Sequence, residues 1–146
     1  MTQLATKAFG TIDISPRQVL DFAEGLYGFE EETRFALLDD EQSPFKWLQS
    51  MQEPNLAFVL IQPDLFLKTP YVPEVTATEL SALNVEKPEE CLIFLIVTIP
   101  DGQPDQMTAN LQGPVLVNAE KKIGRQVISN NDNHAVRVSI MEQLDG

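Results

Sequence analysis

Residues 91–100 read CLIFLIVTIP. The run is apolar from Leu92 to Val97, rich in β-branched and aromatic side chains, and stopped by Pro100. It has no polar residue at every second place. A run of this kind forms a strand with both faces covered, not one with a wet face. Cys91 opens it and reads as a small buried hydrophobe, because no basic side chain sits beside it to favour a thiolate. LAFVLIQP at 56–63 is a second buried strand, ended by Pro63.

Working outward, IPDGQPDQ at 99–106 is a turn, with Asp101-Gly102 suited to a hairpin loop. MTANL at 107–111, PVLVN at 114–118 and GRQVI at 124–128 follow as short strands, the first two divided by Gly113-Pro114 at a bulge or corner. RFALLDD at 34–40 reads as a strand ended by acidic turn residues. TKAFGTIDI at 6–14 reads as another, with Phe9, Ile12 and Ile14 apolar among polar neighbours. SPFKWLQS at 43–50 reads as a loop or a single helical turn. YVPEV at 71–75 is extended but carries proline, so it is an edge at best. SNNDNH at 129–134 is polar loop, and AVRVSIM at 135–141 is a candidate last strand.

Helical signals are few. TATELSALNV at 76–85 spaces Thr76 and Glu79 as a capping box and puts Leu80 and Leu83 on one face, which predicts a helix of about two turns. SPRQVLDFAEGL at 15–26 carries two conflicting patterns. Ser15, Pro16 and Gln18 suit a helix start, yet Gly25 and Gly28 arrive too soon for a long helix, and VLDF also suits a strand. Ten prolines and seven glycines in 146 residues leave little room for long helices. The expected fold is mainly β: a compact antiparallel barrel or twisted sandwich, one domain over 1–146, with one or two short helices.

Charge and composition exclude several functions. The net charge is −12, from 22 acidic against 10 basic side chains. Nucleic acid and anionic membranes are disfavoured, since both are bound by Lys and Arg; a basic protein partner is favoured. No apolar stretch reaches the roughly 18 residues needed to span a bilayer. One cysteine allows no internal disulfide, and a reducing cytoplasmic setting is expected. A single histidine, His134, cannot build a zinc site alone. No phosphate-cradling glycine motif or nucleophile elbow is present. Carboxylates adjoin at Glu30-Glu31-Glu32 and Asp39-Asp40-Glu41, but adjacency does not set acids across a cleft. A small hydrolase using the Asp39-Asp40 cluster is the rival reading, and no cofactor is expected.

The acidic excess is local. Between Asp21 and Glu53 lie nine acids and two bases, Arg34 and Lys46, around Phe45 and Trp47, the chain's one tryptophan. An aromatic set among acids suits protein binding.

Five segments then fall into a familiar order: GLYGFEE at 25–31, WLQS at 47–50, LAFVL at 56–60, LIFLIVTI at 92–99 and TANLQGPVLVN at 108–118. Together they resemble the flagellar assembly factor FliW family, from Phe9-Gly10 to about Val127; the tail from about 129 matches poorly. Members of that family commonly carry proline where this chain has Ala23 and Tyr27. The resemblance aligns residues 18–22 with a strand, which overrules the local helix pattern. It implies a cytoplasmic, non-catalytic barrel, monomeric when free. Such a protein binds newly made flagellin and, in exchange, the translational repressor CsrA, with no direct contact to nucleic acid or membrane. Expected partner-binding residues are Glu30, Glu31, Trp47 and Gln49. Expected structural residues are Gly25 and Gly28 at turns of positive φ, Phe29 in the core, and Asn110, Pro114 and Asn118 where the ladder of hydrogen bonds is interrupted.

Overall fold

The computed structural model describes residues 2–39 and 43–145. In chain order the strands are β1 Thr2–Thr6, β2 Gly10–Ile14, β3 Val19–Asp21, β4 Arg34–Asp39, β5 Lys46–Ser50 and β6 Ala57–Ile61, then helix α1 Ala77–Ala82. There follow β7 Leu92–Thr98, β8 Thr108–Ala109, β9 Val115–Asn118, β10 Ile123–Gln126, β11 Val138–Ser139 and helix α2 Ile140–Asp145. Seven of them close on themselves in the order β7-β6-β5-β4-β3-β10-β9, because β7 pairs with both β6 and β9. The expected mainly β barrel is therefore present. Its pairing is not wholly antiparallel: β10 runs parallel to β3, joined at Ile123 and Asp21. β7 divides its second edge between two partners, with Leu92, Ile93 and Phe94 on β9 and Val97 and Thr98 on β8.

Closure explains why the strands do not alternate. Inside the barrel, Leu20, Phe22, Leu26, Phe35, Leu48, Leu60, Phe94, Val115 and Val117 form one buried cluster. Outside, three covers each bury the opposite face of some strands. The β1–β2 hairpin lays Leu4 and Ile14 on Ala36 and Leu38 of β4. Leu83, just past α1, packs with Cys91, Leu116 and Val127. Phe66, Leu111 and Ile140 cover Ile61, Leu95 and Val97. A strand apolar on both faces is thus buried on both, worth roughly 1.5–3 kcal/mol for each large side chain. Gly124 marks how tightly the interior is filled: a Cβ there would lie 2.4 Å from Cζ of Phe22, which is fully buried.

Several expectations are corrected. SPFKWLQS is not a loop: Lys46–Ser50 is a central barrel strand, because Leu48 is core and Trp47 packs outward beneath the hairpin. TKAFGTIDI is not one strand; it turns over residues 7–9, and Gly10–Ile14 returns along β1. Residues 15–22 satisfy both conflicting patterns in succession. Ser15 and Gln18 form a capping box over a single 3-10 turn, Pro16–Gln18, and the strand runs over Val19–Asp21. The tail holds only the two-residue β11 before α2. The helix at α1 starts at Thr76, whose hydroxyl accepts from the Glu79 N–H, with Leu80 and Leu83 buried; the return bond from the Glu79 side chain that would complete the expected capping box is not formed. Asp40 and Glu41, in the expected acidic turn, lie outside the described residues.

Candidate functional site

The loop from β3 to β4, the turn from β5 to β6 and the loop from β8 to β9 meet at one end of the barrel. The first is folded tightly on itself. Gly25 N–H donates to Phe22 O, Phe29 N–H to Leu26 O, and Glu32 N–H to Phe29 O. Gly25 and Gly28 have φ of +64° and +87°. Gly25 also lies against backbone: a Cβ there would be 2.6 Å from both Glu30 Cα and Phe29 O.

This fold turns Phe29 outward. The ring expected in the core is 41% exposed and stands edge-on against Phe58, with centroids 5.1 Å apart. The reason is Leu26, which takes the interior place in the same tight turn. Glu30 and Glu31 are exposed beside Phe29, and residues 28–32 line an open hollow of about 430 Å³. Glu30 also borders a smaller hollow of about 110 Å³ with Glu24, Tyr27 and Arg125. Tyr27 is 53% exposed. Partial burial and the carboxylates of Glu79 and Glu24 push its hydroxyl pKa up, against the opposing pull of Arg125.

Gln49 is not at this surface. It is buried between the N-terminal hairpin and the turn after β5, so its expected role as a contact residue is corrected. Its Oε1 accepts from Lys7 N–H at 2.9 Å, while Nε2 is shared among the carbonyls of Ser50, Glu53, Pro54 and Leu56 at 3.1–3.3 Å. Ser50 Oγ donates to Glu32 Oε2 at 2.7 Å and accepts from Gln52 and Glu53 N–H. Glu32 is therefore held inward, unlike its two neighbours. Trp47 is half-buried, edge-on to Phe9 of the hairpin turn at 5.9 Å, and belongs with the outer cluster. It packs with the hairpin, separate from the Phe29–Phe58 pair.

The third loop is closed by asparagine. Asn110 Oδ1 accepts from Gln112 and Gly113 N–H at 3.0 and 2.9 Å, and Pro114 O accepts from Val127 N–H at 3.0 Å. Asn118 ties β9 to α1: its Nδ2 donates to Leu83 O at 2.8 Å and its Oδ1 accepts from Lys121 N–H. Gln126 was not singled out by sequence. Its Oε1 accepts from Tyr27 N–H and its Nε2 donates to Gly113 O, so it joins two loops. Nothing local signals a bond to a residue 99 positions away.

Asp39 pairs with Lys46 across the β4–β5 ladder. Among the described residues there is no group of three or more His, Cys, Asp or Glu placed to hold a metal. The Cys91 thiol is pushed up by burial and by Glu90, both of which disfavour the thiolate. Among the described residues no helix is long and apolar enough to cross a membrane.

His134 has a structural task. Ser129 Oγ accepts from Glu74 N–H at 3.1 Å and meets His134 Nδ1 at 2.7 Å, and the imidazole lies over Tyr71 at 4.5 Å. Which of the two groups donates in the Ser129–His134 bond is set by the tautomer of the ring. Burial lowers the His134 pKa below 6.5, partly opposed by Glu74. The unfolded chain therefore binds the extra proton first, and stability falls as pH drops from 6.5 through the lowered folded value. Melting temperatures measured from about pH 8 to about pH 5 should decline in this window for the wild type. The decline should be shallower in His134→Gln; an unchanged slope would refute the assignment.

A closed barrel that gathers exposed aromatic rings and carboxylates at a tightly bonded loop end has the surface of a protein-binding module. Comparison with known proteins gives the family. The family model described as FliW protein matches residues 3–140. The flagellar assembly factor FliW of Leptospira interrogans serogroup Icterohaemorrhagiae serovar Lai is 49% identical over 141 residues, covering 96% of this chain and 93% of that protein. The one from Thermoanaerobacter pseudethanolicus is 40% identical over 144 residues, covering 97% and 95%. A crystal structure of the flagellar assembly factor FliW superposes with a TM-score of 0.85 at 35% identity, covering 95% of this chain and 96% of that one. The chain belongs to the FliW family of flagellar assembly factors. These relatives are named as assembly factors, not as enzymes.

Proposed function

We propose that this chain is a cytoplasmic partner-switching protein that binds newly made flagellin and, when flagellin is absent, binds and antagonises the RNA-binding repressor CsrA. It acts as a monomer when free and touches neither nucleic acid nor membrane. Flagellin that accumulates would occupy it and leave CsrA to repress translation; export would free it to capture CsrA. The observation that carries the reading is the acidic end of the barrel, in a family member of net charge −12. A protein that binds RNA must present positive charge, so an acidic face draws it in and speeds encounter. Binding one partner at the expense of the other lowers each apparent affinity.

Glu30 and Glu31 carry the electrostatic part of this contact. Trp47 contributes by holding the hairpin against β5. The test is co-elution of the purified chain with flagellin and with CsrA on a sizing column, then competition between them. Reversing charge at Glu30 and Glu31 to lysine should weaken CsrA binding about tenfold or more at low salt and flagellin binding much less. Equal loss of both, or no loss, would overturn the electrostatic assignment.

A further inference from the structure

We propose that Phe29, standing on Phe58 at the acidic end of the barrel, is the anchor for a cationic protein partner. An apolar side chain of that partner packs on the ring while its flanking Lys or Arg side chains pair with Glu30 and Glu31. The inference rests on the reading above that one partner is a basic protein.

Three features of the site support it. The first is energetic. A ring held edge-on against a second ring offers a rigid, partly exposed apolar platform. Phe58 is itself braced by Phe35 of the core, at 6.1 Å. Aromatic anchors of this kind dominate binding energy at the centre of interfaces.

The second feature is preorganisation. Gly25 packs on the backbone of Glu30, Glu30 Oε1 accepts from Gly28 N–H at 3.1 Å, and Glu32 is held by Ser50. The loop therefore has little freedom left to lose when a partner docks.

The third feature names the occupant. Of the acids in residues 18–33, Asp21 and Glu24 face Arg34 and Arg125 at 3.5 and 3.9 Å and Glu32 is held by Ser50, while Glu30 and Glu31 stand exposed beside Phe29. A second copy of this chain would bring like charge to like. A purely apolar segment would strip water from Glu30 and Glu31 without offering them a partner. A surface with an apolar side chain between basic ones satisfies both ring and carboxylates.

The experiment uses the full chain and purified CsrA, with affinities measured at low and moderate salt. Phe29→Ala should weaken binding about tenfold or more and leave the salt dependence of the wild type in place. Glu31→Gln should flatten the salt dependence. Hydrogen exchange on the wild-type complex should show the amides of residues 28–32 slowed on binding, a readout independent of how any variant folds. Phe29→Ala affinity within about twofold of wild type, or protection confined to other segments, would overturn the assignment of Phe29 alone. Failure of the wild-type chain to bind CsrA at all would overturn the partner reading beneath it.

Discussion

Replacing Gly25 with alanine should lower the unfolding free energy by about 2–4 kcal/mol, which a shift in the urea midpoint would report. Two costs combine. The backbone at Gly25 has φ +64°, where a Cβ is unfavourable by roughly 1–2 kcal/mol. The added methyl would also lie 2.6 Å from Glu30 Cα and Phe29 O. These are backbone atoms, so no side chain can rotate out of the way. Relief requires moving the 28–32 segment, which carries Phe29, Glu30 and Glu31. The same variant should therefore bind the proposed partners differently from wild type even where it is fully folded. A midpoint within about 0.5 kcal/mol of wild type would mean the loop yields more easily than its hydrogen bonds suggest.

Gln49→Leu should cost a comparable amount, about 2–4 kcal/mol, through a different cause. The substitution keeps bulk but removes every hydrogen bond of a buried amide. Lys7 N–H loses its acceptor, and the carbonyls of Ser50, Glu53, Pro54 and Leu56 lose a shared donor. Each buried polar group left without a partner costs about 1–3 kcal/mol, with water reaching some of them as the turn loosens. The damage should appear first where Gln49 joins two elements. Exchange of the Lys7 amide should quicken, and emission of Trp47, the sole tryptophan, should shift red as Phe9 and the hairpin lift away. Unchanged emission together with unchanged stability would refute the tie.

How much of this was legible depends on how far apart the interacting residues are. The buried strands at 57–61 and 92–98 and the capped helix at 77–82 announce themselves through local composition. So do the turn glycines at 25 and 28. The strand at 46–50 was missed because Ser43-Pro44 opens like a turn, and Leu48 becomes core only once β4 and β6 flank it. The 3-10 turn at Pro16–Gln18 shows a true start signal overruled after three residues by strand pairing. For the candidate site, the acidic bias was readable, but the directions of side chains were not. Phe29 and Leu26 sit in one tight turn, and which of them faces the core is decided by the barrel interior. Gln49 looked like a polar surface residue on a loop; a hairpin 42 residues upstream buries it.

The seam between β7 and β9 has a bearing on how the molecule comes into being. Strands β3 to β7 follow one another in the chain and can zip as a meander while the ribosome is still at work. The joint that completes the ring needs residues 115–126, so it must wait until the last quarter of the polypeptide emerges. Until then β7 offers an unpaired apolar margin, a hazard for sticking to neighbouring nascent chains. A shortened product ending before Val115 would keep that margin open for good.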